Sequence, residues 1–368
     1  MKLLVFPLDI DACLPIVSAA RALEIDVVGA SSVMSDADRW AVDAFDQLPF
    51  VTDLQFDQAF QTLLAKHQIS HVFTPHEGIW QHLSRLESHP AANHAFTLCK
   101  PDPFSTFWGL YEPHETWAAA ASGSQAAEWI GSPQLTPPLS VASYAGLHRQ
   151  FLLTPGQCDE EKLLALCDIA RTLAPGDMLE IGSLWGRSAF ALGYLAQRHR
   201  LGNLICIDPW DAGDITDQGT QAEMLKVEHH RIGIHNIFRA FLATAALLDN
   251  IGYIRATSEA AQPLFTQAQS KGQLDCPELG KLSLSPHIRL IHIDGNHRYD
   301  HVKRDVELWL PSLCPGGWLL LDDYVWAFGD GPRRVGDELL NLPCFDQSFV
   351  CADTLFLRKA APAIQTVA

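Results

Sequence analysis

Short apolar runs closed by polar or turn residues alternate along this chain with stretches whose apolar positions recur every three to four residues. The runs at residues 2–6, 25–29 and 71–74 predict strands. Cys13, Leu14, Ile16, Val17 and Ala20 predict one helix face, and Phe56, Phe60, Leu63 and Leu64 predict another. This βαβ rhythm places a small Rossmann-like α/β domain over residues 1–90. The periodicity fades over residues 91–150, where Pro, Ser, Gly and Ala dominate (GSPQLTPPLSVASYAG), which reads as a linker or wrapping segment. A second α/β unit is expected over residues 151–368, with a helix at 160–173. Its strands are predicted at 178–181, 204–207, 252–255, 288–293, 318–321 and 348–357. The alternating TLFLRK forms a final edge strand. The expected class is α/β: an open, mostly parallel Rossmann-like sheet with an antiparallel edge strand, preceded by a smaller α/β domain.

Composition narrows the class of ligand. With 368 residues and 48% hydrophobic content, the chain can bury two cores. A formal net charge of −17 argues against nucleic acid or an anionic membrane as partner and favours a small-molecule substrate. Nine scattered cysteines without a CxxC pair suggest neither a disulfide framework nor a zinc site, so a reducing cytoplasm fits best. The opening MKLLVFPLDID is broken by Pro7 and Asp9 and reads as a first strand rather than a signal peptide. No apolar stretch approaches the roughly 18 residues that a membrane span needs.

The densest chemistry lies at residues 288–324, IRLIHIDGNHRYDHVKRDVELWLPSLCPGGWLLLDDY. Two apolar strands end in carboxylates, Asp294 on the first and Asp322 and Asp323 on the second. Consecutive strands of a parallel sheet end on the same edge, where ligands bind, so the three carboxylates should converge. Like charges held that close call for a divalent cation.

A second motif precedes it, Glu180-Ile-Gly-Ser-Leu-Trp-Gly-Arg-Ser188. Gly182 and Gly186 permit a tight turn and close approach of a ligand, ahead of a helix N-terminus with free N–H groups. Leu184 and Arg187 break the G-x-G-x-x-G pattern of dinucleotide enzymes, which disfavours an NAD(P)-linked oxidoreductase. Asp208 ends the next strand, placed for ribose hydroxyls. Together the two motifs favour an adenosine-type ligand without a pyrophosphate.

EIGSLWGRS, CIDPW, RATSEAA and the 288–324 segment together resemble the class I S-adenosylmethionine-dependent methyltransferases. They are similar above all to the branch of cephalosporin-hydroxylase-like proteins and magnesium-dependent sugar O-methyltransferases, over about residues 155–360. The resemblance implies that Glu180, Gly182, Ser183, Gly186 and Ser188 shape the pocket for the methionine and ribose of S-adenosyl-L-methionine. It implies further that Asp208 holds the ribose, that Ser258 lies near the adenine, and that Asp294, Asp322 and Asp323 bind Mg2+. The implied activity is metal-assisted O-methylation of a hydroxyl on a sugar or small natural product. Asp294 matches the position of the base, with His297 a second candidate: an imidazole has the better-matched ordinary pKa.

Weaker signals complete the reading. Val302, Val306, Trp309 and Leu310 are expected to pack in the core, with Lys303, Arg304, Asp305 and Glu307 on a solvated face. His229, His230 and His235 are assigned to a lid or an exposed helix. Trp318 is expected in the core, while Trp210 and Trp326 follow strand ends and are placed to contact adenine or a sugar face. Gly331-Pro-Arg-Arg334 reads as a surface loop. Residues 1–90 resemble the pre-ATP-grasp domain, without an ATP-grasp catalytic portion after it, and are expected to help bind the acceptor or to form a homodimer contact. A non-catalytic nucleoside-binding scaffold is the remaining alternative.

Overall fold

The computed structural model describes residues 1–33, 41–88, 95–131, 135–211 and 232–361. The chain forms two compact units, Met1–Pro113 and His114–Ala368.

In the first unit, β1 (Lys2–Val5), β2 (Asp26–Ser31), β3 (Ala44–Gln47), β4 (His71–Phe73) and β5 (Thr97–Leu98) form a parallel sheet in the order β3-β2-β1-β4-β5. Alternation along β1 sends Leu4 and Phe6 into one core, with Phe56, Phe60 and Leu64, and Leu3 and Val5 into another, with Val17 and Val27. The sheet is thus apolar on both faces, as a parallel sheet covered by helices requires. The helices are α1 (Leu14–Ala22), α2 (Phe56–His67) and α3 (Glu77–Glu87), and α2 ends on Gln68 in the left-handed region.

The expected linker at 91–150 is instead largely helical among its described residues: α4 (Pro103–Ser122), α5 (Ala126–Trp129) and most of α6 (Val141–Leu153) fall there. The Ala-rich stretch WAAAAS and Pro113 inside α4 blur the apolar stripe by which a helix is recognised.

The second unit continues with α7 (Glu160–Thr172), capped by the Asp159 side chain on the Lys162 amide, then β6 (Asp177–Ile181) and α8 (Arg187–Arg198). Next come β7 (Leu204–Ile207), α9 (Ile234–Ala245), β8 (Ile251–Ile254) and α10 (Ser258–Lys271). The hairpin β9 (Gln273–Cys276) and β10 (Gly280–Ser283) stands apart as its own sheet. β11 (Ile288–Ile293), α11 (Tyr299–Trp309), β12 (Leu313–Leu321), α12 (Gly331–Leu340), β13 (Phe345–Cys351) and β14 (Thr354–Lys359) complete it. The seven-stranded order is β13-β14-β12-β11-β6-β7-β8, with β14 antiparallel to both neighbours and the rest parallel. The fold class is therefore as expected. The single strand predicted at 348–357 is a hairpin, turned at Ala352 with φ 53°.

Strand order reverses between β6 and β11, the switch point at which open α/β sheets bind ligands. At the opposite end of β6, Asp177 is buried and accepts the amides of Asn203 (2.9 Å) and Ser285 (2.7 Å). Removing that carboxylate strands two backbone donors. Asp177→Ala is expected to lower unfolding free energy by about 2–4 kcal/mol in urea titration, with ligand binding at the far edge unaltered.

Candidate functional site

A cavity of about 880 Å³ opens beyond the C-terminal ends of β6, β7, β11 and β12. One wall is the turn after β6. Gly182 has φ 85°, and a Cβ there would lie 2.1 Å from the carbonyl oxygen of Asp294, so only glycine lets these two strand ends meet. Gly186, at φ 91°, opens α8, and Ser188 in its first turn lines the cavity. Asp208 is buried, and its carboxylate accepts the amides of Ser183 (3.1 Å), Leu184 (3.0 Å) and Trp210 (2.7 Å). Burial pushes its carboxyl up despite these three donors. The side chain thus organises the turn as well as facing the cavity. Ser258 lines the cavity and accepts the indole N–H of Trp309 at 2.7 Å.

Glu180 is placed differently from the expectation. It is fully buried and absent from the cavity lining, because Ser183 Oγ donates to one of its oxygens (2.6 Å) and His292 Nδ1 approaches the other (3.0 Å). It holds the turn from behind.

The facing wall carries the three carboxylates. Asp294 and Asp323 point at His297, whose Nε2 lies 2.6 Å from Asp323 Oδ2 and 3.7 Å from Asp294 Oδ1. Possible ligand atoms of these three residues all lie within 4.8 Å of one another; a second such group is His292, Asp294 and Asp322. Asp322 turns inward: Oδ2 lies 2.5 Å from Lys162 Nζ, and Oδ1 accepts the Thr354 hydroxyl. The structure thus gathers Asp294, His297 and Asp323 at one point and ties Asp322 to a buried lysine.

The charges follow this layout. Burial would raise Asp322, but Lys162 and His292 hold it well below the usual carboxylate range. Burial and the Asp322 charge push Asp294 up. Burial opposes a charge on His297, yet Asp294 and Asp323 push its pKa up to about 10. Two carboxylates facing one cavity supply the hard oxygen donors that Mg2+ or Mn2+ takes, and the residues present fit such an ion.

Residues 179–324 match the family model described as "Methyltransferase domain". The second unit is a class I S-adenosylmethionine-dependent methyltransferase. No curated protein matches the chain. Among solved structures, the methyltransferase is similar to the O-methyltransferase NovP, at 12% identity and TM-score 0.38 over 67% of this chain and 100% of that one. It is similar also to CalS11, a calicheamicin methyltransferase, at 14% identity and TM-score 0.40 over 70% and 94%. A third, MycE of the mycinamycin pathway in complex with Mg, SAH and mycinamycin VI, shows 14% identity and TM-score 0.31 over 53% and 47%.

Several side chains depart from their sequence readings. Trp210 is in the core, not at a ligand: it packs on Phe238 and Phe241 and donates to the Leu184 carbonyl at 2.9 Å. Trp326 does line the cavity, with its ring 4.5 Å from that of His297, and Trp318 is core. The GPRR segment begins α12 instead of forming a loop, with Gly331 and Pro332 buried. His235 is exposed in α9, while His229 and His230 lie outside the described residues. Arg187 does more than break the glycine motif. It donates to the carbonyls of Thr154 (2.6 Å) and Cys158 (3.1 Å) and so fixes residues 155–158 as another cavity wall.

Asp305, expected on a solvated face, is buried in the cavity wall and bonded to Ser258, and burial pushes its pKa up to about 6. A carboxyl raised above its unfolded value contributes stability at low pH, and that contribution is lost as pH rises through the folded value. Between pH 5 and 7.5 this residue is expected to remove about 1.4 kcal/mol of stability. In Asp305→Asn, urea unfolding at the two pH values should show that slope gone.

Proposed function

We propose that this methyltransferase transfers the methyl group to a hydroxyl oxygen of a sugar or small natural product with the help of a divalent cation. The observation that carries the reading is the meeting of Asp294, Asp323 and His297 across one cavity from the Gly182–Gly186 turn. Methyl transfer from a sulfonium is an in-line displacement, so the protein's main task is to align oxygen, carbon and sulfur. The turn from Gly182 to Ser188, with Asp208 and Ser258, is the donor side. Asp294 and Asp323, with Asp322 behind them, are the residues that would hold Mg2+, which when bound lowers the pKa of an acceptor hydroxyl and orients it.

The chain's own groups do the rest. Asp294, with its carboxyl pushed up by burial and Asp322, is a better proton acceptor than an ordinary aspartate and sits at the acceptor side. His297 holds its proton between Asp294 and Asp323, which suits a group that orients those carboxylates. Trp326 and Phe328, at 5.5 Å between ring centroids, give the cavity an apolar surface on which a sugar face or aromatic ring can rest while water is excluded.

Calorimetry tests the reading. S-adenosylhomocysteine is expected to bind and NAD is not, and Mg2+ should bind the S-adenosylhomocysteine complex. Asp294→Asn and Asp323→Asn should each weaken Mg2+ binding by about tenfold or more while leaving S-adenosylhomocysteine affinity within about threefold. Methyl transfer from labelled donor to a panel of glycosides, free sugars and phenols then identifies the acceptor class. Tight binding of NAD without S-adenosylhomocysteine would overturn the donor assignment, and unchanged Mg2+ affinity in both variants would overturn the metal assignment.

A further inference from the structure

Behind the cavity runs a chain of buried polar groups whose inner members, Glu180, His292 and Lys162, do not line it. Ser183 Oγ donates to Glu180 Oε2 at 2.6 Å, and Glu180 Oε1 lies 3.0 Å from His292 Nδ1. His292 Nε2 lies 3.0 Å from Lys162 Nζ, which also reaches Asp322 Oδ2 at 2.5 Å. Asp322 Oδ1 accepts the Thr354 hydroxyl. The side chains of Glu180, His292 and Lys162 are each no more than 1% exposed.

Three elements meet in this chain. Glu180 and His292 are register partners on β6 and β11, and Lys162 enters from the first turn of α7. The imidazole bridges the set: Nδ1 faces Glu180, while Nε2 faces Lys162 and, at 3.5 Å, Asp322 Oδ2. Lys162 and Asp322 thus hold one edge of the ring and Glu180 the other, and Glu180 in turn fixes Ser183 in the donor turn. An unpaired ammonium or carboxylate here would be far more costly than an apolar side chain, so the polar set is an expensive choice for mere packing.

We infer that Lys162 and His292 are positioning residues for the donor pocket. They act through Glu180 on the Ser183 turn from outside the cavity, and the same ammonium fixes Asp322 on the opposite wall. This rests on the reading of that turn as the donor side. Locally, Lys162 looks like one more charge at the start of an amphipathic helix.

The test is S-adenosylhomocysteine affinity by calorimetry, with thermal melting recorded alongside. Lys162→Met and His292→Met should each weaken binding by about tenfold or more in protein that still melts cooperatively. His292→Gln should stay within about threefold of wild type, because its amide oxygen can accept from Lys162 while its NH2 donates to Glu180. Asp168→Asn alters another buried charge of α7, paired with Arg171 at 3.2 Å, and should lower the melting temperature with affinity unchanged. If Lys162→Met does not fold, the two His292 variants decide alone. Folded Lys162→Met with wild-type affinity, His292→Gln as damaged as His292→Met, or Asp168→Asn as weak a binder as Lys162→Met would each overturn the inference. Wild-type protein that fails to bind S-adenosylhomocysteine would instead sink the donor reading on which it stands.

Discussion

The site depends on one close approach, that of the ends of β6 and β11. The Asp294 amide donates to the Ile181 carbonyl at 2.8 Å, and the missing side chain of Gly182 leaves room for the Asp294 backbone. This is the switch point, where one chain leaves toward α8 and the other toward α11. Any side chain at position 182 would push the strand ends apart and carry Asp294 away from the turn. An in-line displacement tolerates little such error, since misplacement by about 1 Å can cost about a hundredfold in rate. A single missing methyl group thus sets the distance between the two halves of the cavity.

The second constraint is electrostatic. Asp294, Asp322 and Asp323 come from neighbouring strand ends, and their mutual repulsion has to be met by positive charge. The protein answers it in two ways: a fixed lysine buried behind Asp322, and an imidazole set between Asp294 and Asp323. The first is permanent, because its ammonium is held charged by Asp322 against the cost of burial. The second sits at the cavity surface, where a bound cation can displace a proton.

Much of this was legible in the residues. Strand positions at 204–207 and 288–293 follow from runs of apolar β-branched and leucine residues that must be buried on both faces. The glycines of the β6 turn and the acidic strand tips mark the cavity edge in the sequence itself, because parallel strands share their ends. What stayed hidden depends on long-range pairing. Asp305 and Lys162 sit on amphipathic helices among other charges, and nothing local says that one meets Ser258 and the other Asp322. Trp210 follows a strand end as a ligand-binding aromatic would. Its left-handed backbone (φ 41°) turns it instead into the Phe238–Phe241 cluster, a consequence of tertiary packing alone.

The charge balance of the cavity bears on the proposed cation. Arg187 is spent on two backbone carbonyls, Arg304 lies 2.8 Å from Glu259, and Lys162 belongs to Asp322. Asp208, Asp294, Asp300, Asp305, Asp323 and Asp353 also line the walls, with the His297 imidazole set between Asp294 and Asp323. Such a field welcomes a sulfonium donor, whose positive charge vanishes as the methyl group leaves. It penalises the other partner, because an acceptor hydroxyl gains negative charge as it loses its proton beside those same carboxylates. In the proposed reaction, positive charge is therefore needed at the acceptor oxygen. The point where Asp294 and Asp323 converge, now faced by the His297 ring, is where the structure can supply it.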